Sequence, residues 1–135
     1  MSNAASNYLE NKILDHVLRY GTAPYTGAST LYVALFYGTA AGVLTNLEAG
    51  TLTDEITLGS YARKSVTFGA ASSGTSSNSS TVTFDTATAN YDGQVTCVAI
   101  MDQATSGNVL FYGQLSVAKT DRKSTRLNSS HSQQS

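Results

Sequence analysis

Residues 94–119 set the terms for any fold this chain can adopt. QVTCVAIMD (94–102) is apolar almost throughout, QATSG (103–107) has the composition of a tight turn, and NVLFYGQLSVAK (108–119) runs back from it. Two such runs around a short polar turn predict a β-hairpin. A strand that is apolar on both faces must be covered on both, so 94–102 belongs in the middle of a sheet. TLYVALFYG (30–38) has the same two-sided character and predicts a second central strand.

The other segments are weaker strand candidates. SYARKSVTF (60–68) alternates Ala62, Lys64, Val66 and Phe68 against Tyr61, Arg63, Ser65 and Thr67, which suits a half-exposed strand. TVTFDTATA (81–89) places Val82 and Phe84 inward and Thr81, Thr83 and Asp85 outward. Between them GAASSGTSSNSS (69–80) reads as a polar hinge too small and flexible to pack. GVLTNLEAGTLTDEITL (42–58) reads as a long, exposed excursion with Gly and Asn breaks and room for short strands.

Only one helix is predicted, over about 7–20. Leu9, Ile13, Val17 and Tyr20 form an apolar stripe with Leu14 and Leu18 alongside. Asn7 and Glu10 have the spacing of a capping box, and Gly21 with Pro24 supplies the stop. One helix followed by about six strands predicts a mainly β protein, an antiparallel β-sandwich with the helix packed on it.

Composition removes several classes of function. The chain holds 8 basic and 9 acidic side chains, but Arg122, Lys123, Arg126 and Asp121 belong to its last fifteen residues. Residues 1–120 therefore carry 5 basic and 8 acidic groups, a net −3, which does not suit a polyanion, so no nucleic-acid partner is expected. No apolar run approaches the roughly 20 residues of a membrane span, and the first residues lack the pattern of a secretory signal. The expectation is a soluble protein made in cytoplasm, with no membrane partner. The single cysteine, Cys97, excludes an intrachain disulfide framework and a CxxC zinc site.

Chemistry-bearing patterns are scarce. His16 flanks the helix stripe without a serine or cysteine motif nearby, and Cys97 lies inside an apolar strand, where a buried inert thiol is the ordinary outcome. Asp54, Glu55, Asp85, Asp92 and Asp102 fall near turns, read as solvated rather than metal-ligating because no calcium-loop series is present. Neither GxxxxGK[ST] nor GxGxxG occurs. No catalytic residue, cofactor or metal is therefore expected. Of the eight tyrosines, Tyr25, Tyr37 and Tyr91 lie near predicted loops and are the candidates for an interface or ligand contact.

Taken in order, NYLENKILDHVLR, TLYVALFYG, GSYARKSVTFGAAS, SSNSSTVTFDTATANY and VAIMDQATSGNVLFYGQLS resemble a family of small bacteriophage virion proteins commonly labelled tail fibre or minor tail proteins. The resemblance runs over residues 4–119. It implies a non-enzymatic structural protein of the virion, in its tail, whose partners are other virion proteins and copies of itself. A carbohydrate- or host-receptor-binding module on the same scaffold is the alternative, with a surface glycan or receptor as partner. No individual functional residue is implied.

The last fifteen residues break with all of this. DRKSTRLNSSH resembles the translation of a widely used short-read sequencing adapter, and SQQS is readable as the index and flanking bases after it. Family members continue past LSVAKT into at least one further strand. The expectation is thus a single domain over 1–120 missing its C-terminal strand or strands, with 121–135 a non-native, disordered tail.

Overall fold

Strand β5 (Val95–Met101) runs through the middle of a five-stranded antiparallel sheet. The computed structural model of the chain describes residues 3–57, 60–84, 94–119 and 128–129. On one side β5 pairs with β6 (Val109–Lys119), closing the expected hairpin. On the other it pairs with β2 (Leu31–Tyr37), in register from Tyr32 opposite Met101 to Phe36 opposite Cys97. The edges are short: β1 (Asn3–Ala5) lies on β6 and β3 (Lys64–Val66) on β2, giving the order β1-β6-β5-β2-β3. Three-residue edges expose few unpaired backbone groups, a usual defence of a sheet against unwanted pairing.

Both faces of the central strands are covered, as their two-sided apolar sequences require. Val33, Leu35, Val95, Val98 and Ile100 pack with Ile56, Val66, Val82 and Phe84, contributed by the chain between β2 and β5. Ala34, Phe36, Cys97, Ala99 and Met101 face the other way, against Val43 and Leu47 of helix α2 (Ala40–Ala49). The fold is mainly β with an N-terminal helix, α1 (Asn7–Leu18), as expected. What covers the sheet is one helix on one face and irregular chain on the other. A second, two-stranded ladder joins β4 (Val82–Thr83) to β7 (Asn128–Ser129). β7 lies within the segment expected to be a disordered tail; residues 120–127 and 130–135 lie outside the described residues.

Helix α2 corrects the reading of 42–58 as an exposed excursion with short strands. Val43 and Leu47 stand at i and i+4 and are both fully covered, so burial of that pair overrides the helix-weakening Gly42 and Asn46. Thr39 begins the helix in an extended conformation. Gly50 ends it at φ 84°, a left-handed conformation that costs glycine little, and its N–H reaches the carbonyls of Asn46 and Leu47.

Helix α1 starts one residue earlier than the Asn7–Glu10 pattern suggested. Ser6 is the N-cap: its hydroxyl accepts the Leu9 N–H at 3.2 Å. Ser6 is wholly buried, its hydroxyl donates to the Val109 carbonyl, and its N–H donates to Leu110 O at 2.9 Å. The helix is thereby tied to the start of β6. At its other end Arg19, not Gly21, is the cap, with its N–H on Asp15 O at 2.7 Å.

The serine-rich stretch 69–80 is more ordered than its composition suggested. Ser72 and Thr75 exchange backbone hydrogen bonds at 2.9 and 3.0 Å, Gly69 N donates to Ser77 O at 2.9 Å, and Ser79 N to Thr67 O at 2.7 Å. These cross-links form a small hairpin-like loop whose polar side chains need no core, because the backbone ladder supplies the order.

Candidate assembly surface

Only Leu9 of α1 is buried, so the expected stripe is not a packing face. Ile13, Leu14, Val17, Leu18 and Tyr20 are 45, 56, 69, 74 and 63 % exposed. Positions 13, 14, 17 and 18 share one face of a helix, spaced three or four residues apart across one turn. Helix α1 rests on the protein through the side bearing Leu9 and the part-buried Tyr8 and His16. The stripe was legible in the sequence; that it points outward was not, because a hydrophobic pattern records a face to be covered and not what covers it. His16 holds this arrangement: its Nδ1 accepts the Tyr25 N–H at 3.0 Å, and its ring meets Tyr20 edge-on at 5.0 Å between centroids. That is a positioning role.

At one end of the sheet the turn between β5 and β6 is locked from two directions. Asp102 accepts the Asn108 N–H at 2.7 Å and its side-chain amide at 3.0 Å. Gly107 turns the chain at φ 75°, and a Cβ there would lie 2.6 Å from Asp102 Oδ1. From the residue just before β3, Arg63 Nη1 donates to the carbonyls of Gln103 at 2.9 Å and Ser106 at 2.7 Å. The guanidinium also forms a two-pronged pair with Glu55, at 2.7 Å to each carboxylate oxygen. Tyr61 completes the cluster: its hydroxyl donates to Glu55 Oε2 at 2.6 Å and accepts the Leu35 N–H at 3.2 Å.

These contacts shape the ionisation of the group. Burial works against the Arg63 charge, but the hydrogen bonds and charge of Glu55 more than reverse it, so its pKa lies above the ordinary value. Burial, then the Glu55 hydrogen bond and charge, push the Tyr61 hydroxyl far up, so it stays protonated. A saturated arginine–carboxylate–tyrosine cluster holds a loop; it offers no poised base or nucleophile. Glu55 and Asp102 are therefore not the solvated turn acids expected, since Glu55 pairs with the Arg63 and Tyr61 side chains and Asp102 with Asn108. Cys97 is buried, as read from the sequence, and burial first of all raises its thiol pKa.

The tyrosines chosen as contact candidates do not converge. Tyr25 is half-buried near the turn end of the sheet, where burial, then Tyr8 and Asp102, raise its pKa. Tyr37 ends β2 opposite Val95, at the far end from Tyr32 and Met101, and packs against the core beside Leu35 and Val98. Tyr91 lies outside the described residues. Two open hollows flank the locked turn. One of about 400 Å3 is lined by Glu55, Tyr61, Arg63, Thr105 and Ser106 among others. The other, about 430 Å3, is lined by Ser29, Thr30, Tyr32, Asp102 and Gln103 among others.

Among the described residues no group of three or more His, Cys, Asp or Glu could hold a metal, and no helix is long and apolar enough to cross a membrane. The family described as podophage GP4 fiber I protein gp80 matches residues 4–133, nearly the whole chain. The chain belongs to that family. It is a phage fibre family, which makes the chain a structural component of a phage tail and places it in the virion. The match runs past Asp121, so the break in composition there is not an edge of the family match. No curated protein matches the chain.

Proposed function

We propose that this fibre-family chain acts without catalysis, as a subunit whose task is to pack against other protein in the virion. The observation that supports this is the outward face of α1, where Ile13, Leu14, Val17 and Leu18 stand exposed on a helix anchored at its start by Ser6. Together with Tyr20 they present about 500 Å2 of apolar side chain, within the roughly 300–600 Å2 of the largest patches on ordinary monomers, patches that are often functional. The cost of leaving such a surface in water is recovered when a partner covers it.

A second reading is favoured by the locked turn. Its rigidity and the two hollows beside it, rich in hydroxyls and bearing Tyr32 and Tyr61, suit recognition of a host glycan or receptor, with Tyr25 close by. One experiment separates the two. A phage lacking the gene is complemented with the Val17→Ser/Leu18→Ser variant or with a variant bearing Thr105→Arg. Packing through α1 predicts that the first variant folds but is missing from purified particles, while the second is incorporated. Normal incorporation of the first variant refutes the packing reading. Particles that carry the second variant yet fail to adsorb to host cells establish the recognition reading alongside it.

A further inference from the structure

We propose that the exposed face of α1 pairs with the same face of a second copy of this chain, the two helices running antiparallel about a two-fold axis. The proposal rests on the packing reading above and names its partner. The apolar positions of Ile13-Leu14-Asp15-His16-Val17-Leu18 are symmetric about the point between 15 and 16. A two-fold axis there sets Ile13 of one copy opposite Leu18 of the other, and Leu14 opposite Val17. Large side chains meet large side chains in both directions, which is the self-complementarity an isologous contact demands. The more N-terminal part of the same outward face carries Asn7, Glu10 and Asn11, all exposed, and cannot extend an apolar seam. A parallel arrangement gains nothing from this symmetry.

Charge permits the approach. Glu10, Lys12, Asp15 and Arg19 balance along the helix, with Asp15 and Arg19 paired at 3.5 Å, so two copies meet without net repulsion. A lipid surface is the poorer occupant, because interfacial helices enrich Lys and Arg on the polar face and this one has as many acids as bases. Area sets the strength. Ile13, Leu14, Val17 and Leu18 give about 400 Å2 from each copy and about 800 Å2 in all, below the roughly 1,200 Å2 of stable specific interfaces. The pair is weak alone and gains strength where many copies are held together, as in a particle.

The test uses single-cysteine variants of the full chain, Leu14→Cys and Val17→Cys, each with a tag of different mass. Cys97 is buried and does not compete. Under mild oxidation, the mixed proteins should give at least about tenfold more 14–17 disulfide dimer than either variant gives with itself. Circular dichroism confirms that each variant is folded. Self-linked 14–14 and 17–17 dimers in equal yield overturn the antiparallel pairing. So does failure of any link to form at millimolar protein, whether α1 is then found covered by residues 120–135, by another virion protein or by lipid vesicles. Loss of Val17→Ser/Leu18→Ser from particles without a 14–17 link sinks this inference alone; normal incorporation of that variant sinks the packing reading with it.

Discussion

Replacing Arg63 by Met removes the charge that Glu55 and two backbone carbonyls depend on while keeping most of the side-chain volume. The Arg63 side chain is 3 % exposed and that of Glu55 16 %. Breaking a buried pair by deleting one partner costs roughly 3–5 kcal/mol, because the remaining charge is stranded. Glu55 keeps the Tyr61 hydroxyl and some access to water, so the low end applies, about 3 kcal/mol. For a chain of this size that lowers the melting temperature by about 10 °C. Glu55→Gln should cost about 2 kcal/mol in the parent but close to nothing in the Arg63→Met background, since no charge is then left unpaired. The double-mutant cycle should thus give a coupling of about 2 kcal/mol. Urea unfolding followed by far-ultraviolet circular dichroism measures all four proteins. Additivity within about 0.3 kcal/mol, or a loss below about 1 kcal/mol for Arg63→Met, refutes the view that this cluster holds the sheet end together.

Two other outcomes follow from the same structure. The Tyr112 hydroxyl donates to Glu48 at 2.8 Å, and burial, then that hydrogen bond and charge, raise its pKa to about 12. A tyrosine with a folded pKa above its unfolded value of about 10 stabilises the fold fully below pH 10 and loses that contribution as pH climbs toward 12. Tyr61 shifts in the same direction. Melting temperature should fall between pH 10 and 12, and Tyr112→Phe should flatten that fall; an unchanged slope in the variant would discard the assignment. The second concerns glycines with positive φ. Gly107→Ala should cost about 2–3 kcal/mol, from backbone strain plus the clash with Asp102, whereas Gly50→Ala, with open space around it, should cost only about 1 kcal/mol. Equal losses in denaturant titrations would show that the Asp102 contact does not constrain the turn.

How far the sequence could be read depended on whether a segment's signal was local. The hairpin around 103–107 and the central strand 31–37 were legible because two-sided apolar runs leave few alternatives. Helix α1 was legible for the same reason, but the destination of its stripe was not. Helix α2 was missed because Gly42 and Asn46 read as breaks, while its real signals, the Val43–Leu47 pair and Gly50 just beyond, are modest. The least visible feature was the cluster of Glu55, Tyr61, Arg63 and the 103–106 carbonyls. Strand alternation set Tyr61 and Arg63 on one face of a half-exposed strand, yet residues 61–63 are not in a strand, and the period of two begins only at Lys64. Its members are brought together by pairing of β2 with β3 and β5, a long-range event that no short window records.

The way Arg63 grips the turn has a consequence for how this protein can change. It holds the carbonyls of Gln103 and Ser106, and Asp102 holds Asn108, so the frame is specified by Asp102, Gly107, Asn108 and Arg63. The side chains of Gln103, Ala104 and Thr105 are exposed and take no part in it. The tip is a replaceable cassette on a constant mount: its surface chemistry can be rewritten, one residue at a time, without touching the bonds that give it its shape.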